Sequence, residues 1–212
     1  MRDGISLIPK RKIQGISPNV SAFLKHGAAN DRTLVSKRDP HYWHEYYIPA
    51  GSFSPGASGA TWVDPSASTL GGYRLDVNTE YLFYHSHIEP DWDGLTDPKM
   101  ELYFEVNVNN TGGADTDTVD LSLLTYYKAE GDTADRTQTV EVATIVGKSA
   151  QYKLWKAELE LDWDLASHVI LAGDVIGMRL NLETDTSEVD NIIVVFAEFK
   201  YKTWKPAPEV NP

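Results

Sequence analysis

The 212-residue sequence contains no cysteine. Disulfide frameworks, thiolate nucleophiles and cysteine-based zinc or iron–sulfur sites are therefore excluded. Long apolar runs are missing too. The longest, Ile192 to Ala197, is far shorter than the ~20 residues of a membrane-spanning helix. No apolar leader follows Met1-Arg2-Asp3-Gly4, so synthesis in the cytosol is the expectation. Positive charge is scarce: 19 Lys and Arg stand against 31 Asp and Glu, a net charge of −12. Such a chain repels phosphate backbones and anionic lipid, so neither nucleic acid nor membrane is expected as a partner. The 42% of hydrophobic residues is enough for one full-sized core.

The scarce positive charge is concentrated at one end. Residues 1–40 hold eight basic side chains and three acidic ones, leaving 11 and 28 for the remainder. The basic residues Lys10, Arg11 and Lys12 are interleaved with the aliphatics Ile5, Leu7, Ile8, Ile13 and Ile16. A merely solubilising tail has no use for five large aliphatics, whereas an arm that docks on another protein uses both kinds of residue. Within it, Ser17 suits a helix N-cap, Pro18 the first turn and Gly27 the position past the end. Val20, Phe23 and Leu24 then share one small apolar face. The expected organisation is an arm over 1–41, a β-sandwich over 42–205 and a tail over 206–212.

From residue 42 the hydrophobic period becomes two. Ala157, Leu159, Leu161, Trp163 and Leu165 alternate with Glu158, Glu160, Asp162 and Asp164, predicting one half-buried strand with an acidic outer face. Met178, Leu180 and Leu182 alternate with Arg179, Asn181 and Glu183, and Leu102 to Asn109 alternates in the same way. Further strands are predicted at 42–48, 60–64, 79–87, 119–128, 137–146 and 191–201, the last buried on both faces before it alternates. Turn residues separate these runs, among them Pro65 to Ser68, Asn109 to Gly113, Glu130-Gly131-Asp132 and Gly173-Asp174. About nine strands with long connections predict an all-β fold, an antiparallel two-sheet jelly-roll sandwich.

Motifs that carry chemistry are few. His85, His87 and Glu89 would share one face of an extended strand, with Asp91 following, a pattern that offers imidazole and carboxylate ligands to a transition metal. It resembles the His-x-His motif of the cupins, but Asp91 stands near the place of the cupin Glu and His168 lacks the second cupin motif. The alternative is a solvated strand end. Asp91-Trp92-Asp93-Gly94 has the spacing of a calcium loop without the closing Glu, and an Asx turn is the preferred explanation. Gly147-Lys148-Ser149 lacks the first glycine of a phosphate loop, and Gly56-Ala57-Ser58-Gly59 is not a nucleophile elbow. No catalytic residue and no cofactor is expected. Trp62, Trp155 and Trp163 would serve a sugar-binding module as stacking platforms, although in strands core packing is the commoner explanation.

One resemblance spans residues 46–201 as a pattern. Tyr47-Ile48-Pro49-Ala50 enters a Pro/Gly-rich loop ending at Ala57, followed by Ala60-Thr61-Trp62. Glu80-Tyr81-Leu82-Phe83, the turn Asp174-Val175-Ile176-Gly177 leading to a strand with central Arg179, and the closing strand Phe196 to Tyr201 complete it. The pattern resembles single jelly-roll virion proteins of tailed bacteriophages. That resemblance implies a capsid cement or decoration protein, typically a homotrimer on the virion surface, bound to the major capsid protein. The arm residues Ile5, Leu7, Ile8, Lys10, Arg11, Lys12, Ile13, Ile16, Val20, Phe23 and Leu24 would then form the coat-binding surface. The alternatives are a tail or head-fibre component, a carbohydrate-binding β-sandwich module and, last, a cupin-like metalloenzyme.

Overall fold

The computed structural model describes residues 42–133, 136–165, 169–183 and 189–203. The arm residues 5–24 and His168 lie outside them. Eleven strands form two antiparallel sheets: β1 (Tyr42–Pro49), β2 (Ser54–Pro55), β3 (Thr61–Val63), β4 (Gly72–Leu75), β5 (Tyr81–His87), β6 (Lys99–Val106), β7 (Thr118–Lys128), β8 (Arg136–Ile145), β9 (Leu154–Glu160), β10 (Val175–Glu183) and β11 (Ile192–Thr203). A single 3-10 turn, Ala50–Ser52, follows β1.

The first sheet has the order β3-β4-β11-β6-β9, with β1 also paired to β11; the second has the order β2-β5-β10-β7-β8. Along β4 to β11, most connections cross between the sheets and only β7–β8 is a hairpin. Two such interleaved Greek keys make a jelly roll. The expected all-β sandwich is the observed fold.

Alternation explains the layers. On β11, Ile192, Ile193 and Val194 are all fully buried, after which Ala197, Phe199 and Tyr201 turn inward and the residues between them stay half-buried. On β10, Ile176, Met178, Leu180 and Leu182 point inward and meet Leu82, Leu121 and Leu123 of the neighbouring strands in register. Apart from Ile193, these buried side chains and Phe104, Met100 and Leu159 belong to one continuous core.

Three expectations change. The strand predicted over 157–165 stops at Glu160. Leu161 is still fully buried and donates its N–H to the Pro98 carbonyl, but Asp162 to Asp164 turn away and the Trp163 N–H is captured by Asp97 Oδ1. There Trp163 packs edge-on against Trp92, with ring centroids 6.0 Å apart. The strand predicted over 102–109 runs instead from Lys99 to Val106. Asn107 leaves it because its backbone and amide bond Asn191. Two strands, β2 and β4, were not predicted. One contains proline and spans two residues; the other opens on Gly71-Gly72, which reads as a break.

The Gly173-Asp174 turn has a structural role. Gly173 takes φ +89°, and Asp174, fully buried, caps the turn by accepting the Leu171 N–H at 2.7 Å. Its other oxygen pairs with Arg136 Nη2 of β8 at 2.7 Å. A buried carboxylate is stable there because both oxygens are bonded.

The outer face of the first sheet is a lattice of opposite charges centred on Glu101, which is 6% exposed. Lys200, Lys156 and Lys99 approach its carboxylate at 3.1, 3.2 and 3.4 Å. Burial would raise its pKa, but the hydrogen bonds and charges of Lys200 and Lys156 prevail and hold it at about 2. A folded value below the unfolded one stabilises the fold fully above the unfolded pKa of ~4.3, and that contribution is lost as pH falls toward about 2. Each lysine keeps a second carboxylate partner, Glu158 or Glu198, which limits the cost of losing Glu101. Glu101→Gln is expected to destabilise the fold by ~2 kcal/mol at neutral pH, a fall of roughly 4–8 °C in melting temperature. Melts followed by circular dichroism down the acid range test this: the gap between variant and parent should close as pH approaches 2.

Candidate functional site

The two outer faces differ in what they expose. The first sheet is crossed by the Glu/Lys lattice just described. The second is lined by aromatic and polar residues drawn from three central strands. Register sets them in rows: Tyr81, Asn181 and Ser122; then Phe83, Arg179 and Leu124; then His85, Gly177 and Tyr126.

Gly177 is the key to the third row. A Cβ placed on it would lie 3.6 Å from His85 Cδ2 and 3.8 Å from Tyr126 Cβ, ordinary contact distances. The missing side chain therefore leaves a notch one residue wide, bounded by an imidazole and the root of a phenol ring. One row along, the Arg179 guanidinium lies 4.5 Å from the Tyr81 ring centroid. Its Nε is buried without a hydrogen-bond partner. Tyr81 and Phe83 stand 6.4 Å apart and pack under Gly56 of the β2 edge. At the far end Ser122 and Asn181 are buried although they face outward, so the face deepens there. Asn181 Nδ2 donates to Glu183 Oε1 at 3.0 Å.

The sequence-predicted metal ligands are placed as follows. His85 and His87 occupy alternate positions of β5, which ends at His87. His85 borders the notch. His87 Nε2 instead meets Glu89 Oε1 at 2.8 Å, and the same oxygen accepts the Tyr46 hydroxyl at 2.8 Å. The Tyr46 hydrogen bond, opposed by burial and helped by His87, lowers the Glu89 pKa. Tyr46 also approaches the Tyr201 hydroxyl at 3.3 Å, which in turn bonds His44 Nδ1 at 3.0 Å. Burial, foremost, raises both tyrosine pKa values. Glu89 thus ties β1 to the end of β5. Asp91 lies beyond it, one oxygen buried without a hydrogen-bond partner. Among the described residues, no group of three or more His, Asp or Glu is arranged to hold a metal ion.

The calcium-like loop is an Asx turn. Asp93 Oδ1 accepts the N–H groups of Leu95 and Thr96 at 2.9 and 3.0 Å, and Oδ2 accepts the Thr96 hydroxyl. The tryptophans divide. Trp62 is 46% exposed at the sheet edge, edge-on to Tyr73, rather than in the core. Trp155 is half-buried and donates Nε1–H to Ser149 Oγ at 3.1 Å. The residues that line the second sheet's outer face, Tyr81, Phe83, Tyr126 and Gly177, were not singled out by sequence as a site. Their signal, an aromatic on an outward strand position, becomes legible only once the register is known.

No family model and no curated protein matches the chain. Among solved structures it is similar to a family 36 carbohydrate-binding module in complex with calcium and xylotriose, at 15% identity over 73% of this chain and 98% of that one, with a TM-score of 0.38. It is also similar to a family 15 xylan-binding module, at 13% identity over 76% and 97% of the two chains, with a TM-score of 0.42. A third is the family 11 carbohydrate-binding module from Clostridium thermocellum in complex with a β-1,3-1,4-mixed-linked tetrasaccharide, at 9% identity over 82% and 90%, with a TM-score of 0.34. Likeness at this level does not reach ligand or site.

Proposed function

We propose that the chain is a non-catalytic β-sandwich module that binds a saccharide on the outer face of the second sheet. The observation that carries the reading is the notch at Gly177, with His85 and Tyr126 as its walls and Arg179 beside it. A sugar ring has apolar faces of C–H bonds and a rim of hydroxyls. It is matched by aromatic rings at close spacing together with a few fixed polar groups. The rows are about 7 Å apart, two strand rises, so neighbouring sugars of one oligosaccharide would meet successive rows. The test is retention of the full chain in affinity gels cast with soluble polysaccharides, followed by a glycan array. Retarded migration on at least one polysaccharide is expected, and free migration on all of them overturns the reading.

A second reading rests on β1, whose outward and terminal side chains Tyr42, Trp43 and Tyr47 are 43%, 41% and 64% exposed. Among the described residues β1 pairs with β11 alone. Exposed aromatics along such a strand suit a subunit contact. They agree with a virion structural protein, a homotrimer held to the major capsid protein by residues 1–41 on the capsid surface. An arm that binds only assembled shells would stabilise them by mass action. Deletion of residues 1–40 is expected to abolish co-sedimentation with shells. Unchanged decoration by the truncated chain sinks this reading.

A further inference from the structure

We infer that the saccharide bound on the second sheet carries a carboxylate, and that Arg179 is the group that recognises it. The inference rests on the glycan-binding reading above and names its ligand class. Each of the other two arginines among the described residues has a carboxylate partner: Arg74 Nε lies 3.1 Å from Asp76, and Arg136 Nη2 2.7 Å from Asp174. Arg179 has none among the described residues, in a chain whose acidic residues outnumber the basic ones by 12. Its neighbours across the ladder are Phe83 and Leu124, neither of which can pair with it. Its recorded contact is the Tyr81 ring, which holds the guanidinium by a cation–π interaction without consuming its N–H donors.

Arg74 Nε also lacks a hydrogen bond but keeps the Asp76 carboxylate beside it, whereas the half-buried Arg179 guanidinium has no anion, which is costly unless a ligand supplies one. The planar fork matches a carboxylate with two parallel hydrogen bonds, a geometry that neutral hydroxyls reproduce poorly. The Gly177 notch lies two residues along the same strand face, about 7 Å away. The guanidinium leans over Tyr81, whose row lies on the side of Arg179 away from the notch, so a pyranose seated beside Tyr126 leaves a substituent of the next sugar ring to meet it. Uronic acid residues have that shape: a pyranose with a carboxylate on C5. The chain's overall negative charge disfavours long polyanions, so short uronate stretches within a neutral glycan suit the face better.

Isothermal titration of the full chain with oligogalacturonate and oligoglucuronate, each against its own methyl ester, tests the inference. The free acid of at least one is expected to bind about 10-fold or more tightly than its ester. Arg179→Gln should reduce the acid to the affinity of the ester, while Arg179→Lys should restore part of the difference. Equal binding of acid and ester overturns the assignment, as does a preference that survives Arg179→Gln. If that variant fails to fold, the acid–ester comparison on the parent chain still decides. Binding of dextran sulfate without uronate binding would also refute it, by assigning the arginine to sulfate esters. Binding confined to neutral glycans overturns this inference and leaves the glycan reading standing. Binding to no saccharide removes both.

Discussion

Gly72→Ala is expected to lower the melting temperature on the order of 10 °C, a loss of roughly 4 kcal/mol. Gly72 opens β4 with φ +142°, a region that side-chain-bearing residues rarely adopt. A Cβ there would fall 2.0 Å from the Val194 carbonyl oxygen and 2.9 Å from its carbon. Both obstacles are backbone of β11, the strand that β4, β6 and β1 all pair with, so the clash cannot be relieved by rotating a side chain. Moving β4 away would break the Val194–Tyr73 pairing and uncover Leu75, which is fully buried. Gly51→Ala is the control, because nothing lies within 4 Å of the added atom and no positive φ is imposed. Thermal melts of the two variants should differ by most of the stated shift. Coincident melts would show that β4 does not approach β11 as described.

The same glycine shows why part of this fold was legible from sequence and part was not. Strands whose stability comes from side-chain alternation declared themselves: β10 and β11 appear in the sequence with their inward sets, Met178, Leu180 and Leu182 or Ala197, Phe199 and Tyr201, already separated from their outward ones. Strand β4 is held by a close backbone approach, which requires glycine and therefore looks like a loop. Trp163 misled in the opposite way. It continues the period of β9 but is half-buried against Trp92 and fixed by Asp97 after the strand has ended. Period alone cannot distinguish an inward strand residue from an apolar residue packed in the turn that follows the strand.

Legibility of the site was poorer for a geometric reason. His85, Tyr126 and Gly177 are far apart in sequence and adjacent only through the β5-β10-β7 register. Arg179 was noticed as the central residue of its strand, but nothing linear reveals that it stands between Phe83 and Leu124 without a carboxylate. The His85-x-His87-x-Glu89 pattern was conspicuous in sequence, yet His87 and Glu89 bind one another and hold Tyr46. Close spacing along one strand indicates shared direction, not a shared ligand.

Tyr126→Ala is expected to weaken saccharide binding about 30-fold while moving the melting temperature by less than about 3 °C. The two effects separate because Tyr126 is half-buried on the outer face, whereas the core beneath it is built by its neighbours on β7, Thr125 and Tyr127, both fully buried. The Tyr127 hydroxyl accepts from Thr125 and donates to Gln138, none of which depends on residue 126. What the substitution removes is one wall of the Gly177 notch, the wall against which the apolar face of a sugar would pack. Gly177→Val makes the complementary change: the added side chain begins at ordinary contact distance from His85 and Tyr126 and fills the notch instead of opening it. If the notch seats the ligand, both variants lose affinity, one by removing contact and the other by occupying the space. Tyr47→Ala, on the exposed face of β1, should leave that affinity unchanged. If Tyr47→Ala abolished retention and Tyr126→Ala did not, the binding face would be the first sheet, and the notch would have to be surrendered as the site.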